Sequence, residues 1–366
     1  MKKPGKSVLN IVFLAAILAL TFVSLLRGES IPDLIRGMRA ADGRFLLLAV
    51  LFVLLFLAGQ ALVIYLMLRA LHIRCSLWKC MLFSFTGYFF CNITPFQSGG
   101  PPAQIISMRK EGIPVPIASI VILVMTFLFK LVLVVIGILY LIFGQRLIHA
   151  YLLDVLPVFG VGLFLTIGFS YLLAMFIFYT PLSSKAALIF LDWLEEKHIF
   201  KHKEGRRESW IAFLERYGQT SGFFRNHKLL LIILFAITVV QRFMLFLVTY
   251  FVYRAFRLSG TSAWTISVLQ SAISIAADML PLPGGAGASE AVFVRVFRPI
   301  FGSGKILPGM LLSRGISYYV QLIFCGIMTV VSKFVIGRGR DAQAEVAESR
   351  KVRHTDEQAK LSKASG

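Results

Sequence analysis

A chain of 366 residues in which 57% are hydrophobic and only 15% are charged is not built like a soluble domain. Its mean hydropathy of +0.79 places it among polytopic helical membrane proteins. The net charge of +20 does not point to nucleic acid, because the basic residues mostly flank apolar segments, where they meet anionic headgroups and set topology.

Apolar stretches long enough to cross a bilayer run over 8–26, 45–68, 115–143, 151–180, 229–253 and 307–336, so six full spans are expected. The first follows Met1-Lys2-Lys3 and has no small-x-small cleavage site after it, so it is expected to be retained. Two further stretches, 80–110 and 264–300, are each interrupted by the same pattern. The first copy is Asn92-x-x-Pro95-x-x-x-Gly99, followed by Gln104 and Arg109. The second, 186 residues later, is Asp278-x-x-Pro281-x-x-x-Gly285, followed by Glu290 and Arg295.

Each interrupted stretch is either one span plus a polar loop or a hairpin that enters the membrane and returns to its own side. Positive charge separates the two. Single crossings put 183–228, with nine Lys and Arg residues, outside the cell, against the positive-inside rule. Two hairpins put 24 of the 38 basic residues on the cytoplasmic side and 10 outside. The expected fold is therefore an all-α polytopic membrane protein of six spans and two opposed re-entrant helical hairpins. Repeat one is 45–143 and repeat two is 229–336; they have opposite orientations, as in inverted-repeat transporters with a midplane site. One transmembrane domain covers 1–336. Apolar and charged residues alternate at helical spacing within the cytoplasmic segment 183–228, which suits helices on the inner leaflet. The polar tail 337–366 is expected to be disordered, and both termini cytoplasmic.

Polar groups and helix breakers are costly in hydrocarbon, so the paired pattern marks the candidate site. Asn92, Pro95, Gly99 and Gly100 form the first tip, where prolines end one helix and open the next and freed amides suit an anion. Asp278, Pro281, Gly284, Gly285, Gly287 and Glu290 form the second; its two acids converge on one cavity, where they cap loop amides, pair with a base or carry protons. Lys130, Arg242 and Arg314 lie within spans; Lys130 and Arg242 are too deep to snorkel, whereas Arg314 is near enough to an end to do so. Three cations face two acids, and a phosphate headgroup suits the surplus. The four cysteines and six histidines show no metal-ligand spacing, and no nucleophile elbow, Walker A loop, HExxH or dinucleotide fingerprint occurs. No enzyme activity, metal or cofactor is expected.

The motifs Asn92-Ile-Thr-Pro95 with Gly99-Gly100 and Gly112-Ile113, and Pro281-x-Pro283-Gly284-Gly285-x-Gly287-x-x-Glu290 with Arg314 and Tyr318, carry a resemblance. Over 10–335 the chain resembles the flippase-like family related to the transmembrane region of lysylphosphatidylglycerol synthases, with Lys130 where that family often has arginine. In two-domain relatives this region moves an aminoacylated phospholipid between leaflets, and a C-terminal soluble domain transfers the amino acid. The 30 residues after the last expected span leave no room for that domain, so the synthase activity is not carried over. The resemblance implies a stand-alone flippase of a bacterial inner membrane, whose partners are membrane lipids with an anionic or lipid-linked headgroup and whose neighbours include lipid-synthesis enzymes. Two alternatives stay open: a secondary carrier for a small soluble anion, and a non-transporting accessory subunit of a lipid or glycan synthesis complex.

Overall fold

A computed structural model describes residues 31–179, 206–280, 285 and 287–336. The expected span at 8–26, the first part of the cytoplasmic segment, Pro281 and Gly284 of the second tip, and the tail lie outside the described residues. Among the described residues all regular structure is helical. Five helices are long and apolar enough to cross a membrane: Gly43–Ala70, Val115–Phe143, Gln145–Phe178, Lys228–Ala255 and Ile306–Val335. They match the remaining five expected spans, and the chain is a multi-pass membrane protein.

In chain order, α1 is Ile31–Arg39, α2 Gly43–Ala70, α3 Leu77–Ile93, α4 Gly100–Lys110, α5 Val115–Phe143 and α6 Leu156–Phe178. Then come α7 Arg206–Asn226, α8 Lys228–Ala255, α9 Ala263–Ala277, α10 Ala288–Phe301, α11 Ile306–Arg314 and α12 Gln321–Val335. A π-helical turn, Gly315–Val320, joins α11 to α12 within one span. The span expected at 151–180 begins earlier, because short helical turns over 145–155 lead into α6, whose first turn Pro157 opens.

The helix starts repeat. Gly43, Leu77, Gly100 and Val115 open α2 to α5; Lys228, Ala263, Ala288 and Ile306 open α8 to α11, displaced by 185, 186, 188 and 191 residues. The caps repeat too. Ser76 accepts from the Lys79 amide at 3.3 Å to start α3, and Ser262, 186 residues on, accepts from the Thr265 amide at 3.1 Å to start α9.

The first helices of the two sets pack along each other, and their pairings fix the direction. The Asp42 amide meets the Ala255 carbonyl at 2.9 Å, Phe52 meets Phe251 with centroids 4.7 Å apart, and Gly59 faces Gln241. One number rises as the other falls, so α2 and α8 are antiparallel. The same logic describes α3 and α4. Cys91 faces Gly100, Gly87 faces Gln104, and at the far end Lys79 forms an ion pair with Glu111 at 2.6 Å. The chain reverses at 94–99 and α4 returns along α3. The longest arm of either broken stretch, the 17-residue α3, reaches only about 25 Å at 1.5 Å per residue, less than the ~30 Å hydrocarbon core.

Two contacts lie beyond the sequence pattern. Tyr217 and Ser221 of α7 donate to the Phe176 carbonyl (3.0 Å) and the Ile177 carbonyl, capping carbonyls that the end of α6 leaves unpaired. The second half of α7 is thus held against the bundle. Gly162 of α6 lies against backbone of α9: a Cβ there would collide with the Ile275 carbonyl oxygen and come within 2.9 Å of the Ala276 Cα.

That contact gives a paired test. Gly162→Ala should lower the unfolding midpoint, because overpacking against backbone costs about 1–3 kcal/mol. Gly160→Ala, which meets nothing within 4 Å, should leave the midpoint unchanged or raise it, since Ala is favoured over Gly in a helix by up to about 1 kcal/mol. Thermal unfolding of both variants in the same detergent measures the difference.

Candidate functional site

The first break is held by one hydroxyl. Thr94 Oγ1 donates to the Phe90 carbonyl at 2.7 Å, ending α3, and accepts from the Gly99 amide at 2.9 Å, fixing the chain just before α4. Between these bonds Phe96 and Gln97 adopt positive φ of 54° and 56°, uncommon for non-glycine residues and worth a reason. The reason is visible for Gln97: its Nε2 donates to Asp278 Oδ1 at 3.1 Å, joining the first break to the second across 181 residues.

Asp278 is the hub. It caps the end of α9, and its other carboxylate oxygen accepts from Lys130 Nζ of α5. Both side chains are almost fully buried, at 7% and 9% exposure, so the pair must compensate itself. Tyr318, in the π-turn, donates to the Asn92 carbonyl at 2.9 Å and ties the last span to the end of α3. Several polar contacts between the two sequence halves therefore fall where their helices break.

Glu290 opens α10. Its Oε2 accepts the Gly287 amide at 2.7 Å and lies 2.8 Å from the Ser289 hydroxyl; its Oε1 accepts from Arg314 Nε at 2.9 Å. Gly287 sits at φ +89°, a conformation that side chains rarely take. Arg314 does not snorkel as its position allowed: it turns inward to this carboxylate and lies near Tyr318. Both oxygens of Glu290 are engaged, which favours pairing and capping over the proton-carrying role.

A cavity of about 140 Å³ lies among these groups. Of the expected site residues, Asn92, Arg242, Asp278, Gly285 and Arg314 line it; Phe56, Tyr88, Phe129, Gln270 and Ser274 complete the wall and carried no signal in the sequence. Gly99, Gly100 and Pro95 do not line it. The Gly99 amide, expected to face an anion, is already taken by Thr94, and Gly100 serves the close approach of α4 to Cys91 of α3. These three residues build the break, and the side chains beside it face the space.

A second, larger cavity of about 810 Å³ runs from α3 and α4 to α5 and α6, and is mainly apolar. Lys130, Phe96, Gly168 and Leu172 are among its lining residues. It shares Tyr88, Cys91, Gln97, Phe129 and Asp278 with the first. Its outer rim carries exposed Phe164 and Leu165 of α6, the surface such a helix turns to lipid.

Arg242 stands apart. It is 3% exposed in the middle of α8, its Nε and Nη2 find no acceptor among the described residues, and its guanidinium lies 3.4 Å from the Phe129 ring centroid.

Removing one partner of a buried pair strands the other, at a cost of about 3–5 kcal/mol. Asp278→Asn should therefore lower the unfolding midpoint sharply, since it strands Lys130 beside Arg242. Lys130→Met should cost less, because Gln97 and the nearby Arg242 still act on Asp278. The double variant Lys130→Met/Asp278→Asn should be more stable than Asp278→Asn alone. Unfolding midpoints of the three variants, measured side by side, check this order.

The family model for the lysylphosphatidylglycerol synthase TM region matches residues 7–325. A search of curated proteins finds no match. The match covers all of the helices that build the two breaks and both cavities, and ends inside the last span. The chain belongs to the lysylphosphatidylglycerol synthase TM region family.

Proposed function

We propose that this protein is a lipid transporter of a bacterial inner membrane, moving a phospholipid or lipid-linked headgroup between leaflets and catalysing no reaction. The observation that carries this is the junction of two unlike cavities. A small chamber of mixed polarity shares Tyr88, Cys91, Gln97, Phe129 and Asp278 of its wall with a mainly apolar groove whose rim faces outward. An amphiphile has this division: the headgroup needs polar partners away from hydrocarbon, and the chains need apolar surface continuous with it. A soluble anion has no use for the groove.

The breaks act as opposed re-entrant hairpins in an inverted repeat. Three observations support that arrangement: repeated helix starts and serine caps, arms shorter than the hydrocarbon core, and antiparallel α2 and α8, which give the repeats opposite directions. With the basic loops 69–79 and 183–228 in the cytoplasm, the first hairpin enters from inside and the second from outside. Their tips meet through Gln97 and Asp278, so the chamber lies near the midplane, where a headgroup has to change sides.

Gly168→Trp tests the groove. Gly168 lines it, and a Cβ there meets nothing within 4 Å, so a bulky side chain has room to start from this position and obstruct the groove. In reconstituted vesicles, a leaflet-accessibility assay should show lipid transport reduced at least tenfold, with an unchanged unfolding midpoint. Full transport by Gly168→Trp, or none by the intact protein across a panel of phospholipids and polyprenyl-linked lipids, would overturn the proposal.

A further inference from the structure

The connection between α2 and α3 holds a pair of thiols that the candidate site does not use. Cys80, at the start of α3, is fully buried, and its thiol donates to Cys75 Sγ at 3.8 Å. Cys75 is half-buried and lines an open pocket of about 580 Å³ together with the basic side chains Arg69, His72 and Arg74. The backbone between the two is fixed by the helix start: Ser76 accepts the Lys79 amide at 3.3 Å, and its carbonyl accepts the Cys80 amide at 3.1 Å. A disulfide has its sulfurs about 2.05 Å apart, so these two have to close by about 2 Å. The other cysteines are placed differently. Cys91 donates to the Gln97 carbonyl at 3.3 Å, and Cys325 is buried in α12. Among the described residues the Cys75 and Cys80 thiols have no third His, Cys, Asp or Glu with which to make a metal site.

We infer that Cys75 and Cys80 are a peroxide-reactive thiol pair at the foot of the first helix break, with Cys75 as the attacking sulfur and Cys80 as the resolving one. Reactivity follows thiolate character and access, and Cys75 has both: it borders the open pocket, lies just before a helix N-terminus and has basic neighbours. The Cys80 hydrogen bond, helped by Lys79, holds the Cys75 thiol below its ordinary value, against burial and Glu111. In the first step the Cys75 thiolate attacks one oxygen of hydrogen peroxide; the O–O bond breaks, the departing hydroxide takes up a proton as water, and Cys75 becomes a sulfenic acid. In the second, Cys80 sulfur attacks Cys75 sulfur, the S–O bond breaks, and the hydroxide leaves with the Cys80 proton as water. Two thiols and one peroxide give one disulfide and two waters; the sulfurs lose two electrons and the peroxide oxygens gain them. The disulfide ties the 71–76 connection to α3 next to Lys79, whose ion pair with Glu111 holds the end of α4. With that connection in the reducing cytoplasm, the dithiol is the resting form and the disulfide a transient response to oxidant. The compartment rests on the topology proposed above; the reactivity of the pair does not.

The test uses the reduced full chain in detergent, with iodoacetamide and hydrogen peroxide as probes and peptide mass spectrometry as the readout. Before oxidation, Cys75 should alkylate at least tenfold faster than Cys80 or Cys325. After peroxide, trypsin cleaves at Arg74, Lys79 and Arg109, and peptides 75–79 and 80–109 should stay joined until a dithiol reductant separates them. The second peptide also contains Cys91, so the joined species should persist in Cys91→Ser and disappear in Cys80→Ser. Cys80→Ser should instead accumulate a Cys75 sulfenic acid that dimedone traps, and Cys75→Ser should leave Cys80 unoxidised at the same exposure. Fragment ions of the wild-type species place the link even where Cys80→Ser does not fold. Alkylation of Cys80 as fast as Cys75, no joined peptides from the wild type, or a link to Cys91 that survives Cys80→Ser would each overturn the inference.

Discussion

Charge buried among apolar helices has to be neutralised, and the structure is arranged around that requirement. Lys130 on α5 meets Asp278 at the end of α9, and Arg314 on α11 meets Glu290 at the start of α10. The first of these joins helices from different halves of the chain, and the Gln97 and Tyr318 bonds do the same. The place where the main chain is least regular is therefore also a place where side chains of the two halves are tied by polar bonds. Breaking helices there frees backbone groups and side-chain directions that a straight span lacks; the ion pairs keep the broken ends in register.

Around that centre aromatic rings form part of the wall, and some of them are shared with the apolar groove. Phe56 packs on Tyr88 and Phe129, and Phe129 also carries the Arg242 guanidinium on its face. Tyr88 is fixed in turn by its hydroxyl, which donates to Gln60 Oε1 at 2.6 Å. One aromatic ring thus borders the chamber, borders the groove and lies against a cation that has no ion-pair partner among the described residues. Arg314 and Tyr318, four residues apart across the start of the π-turn at Gly315–Val320, both line the chamber side of the last span.

Much of the scaffold was legible because hydrocarbon is a demanding solvent. Long apolar runs have to be helices that satisfy their own backbone groups, and five expected spans agree with the structure to within a few residues, apart from the early start of the third. Proline and glycine at Pro95, Gly99 and Gly287 marked the breaks, because no uninterrupted helix accommodates them there. Less visible were the one-turn contacts that use ordinary residues: Thr94 closing the first break, and Phe129 and Tyr88 in the wall. Nothing distinguishes such a threonine or phenylalanine from many others in an apolar chain. Gly99 was assigned to an anion on the strength of its exposed amide, but a neighbouring hydroxyl five residues earlier reached that amide first.

The sequence by itself determined that the chain is a bundle of membrane helices, that two stretches break in matching places, and that three cations and two acids lie in apolar surroundings. It could count those charges because composition is additive along the chain. Which cation pairs with which acid was decided only by tertiary structure, because pairing depends on where side chains from α5, α8, α9, α10 and α11 come within a few ångströms of one another, and the Coulomb energy that settles it depends on those distances.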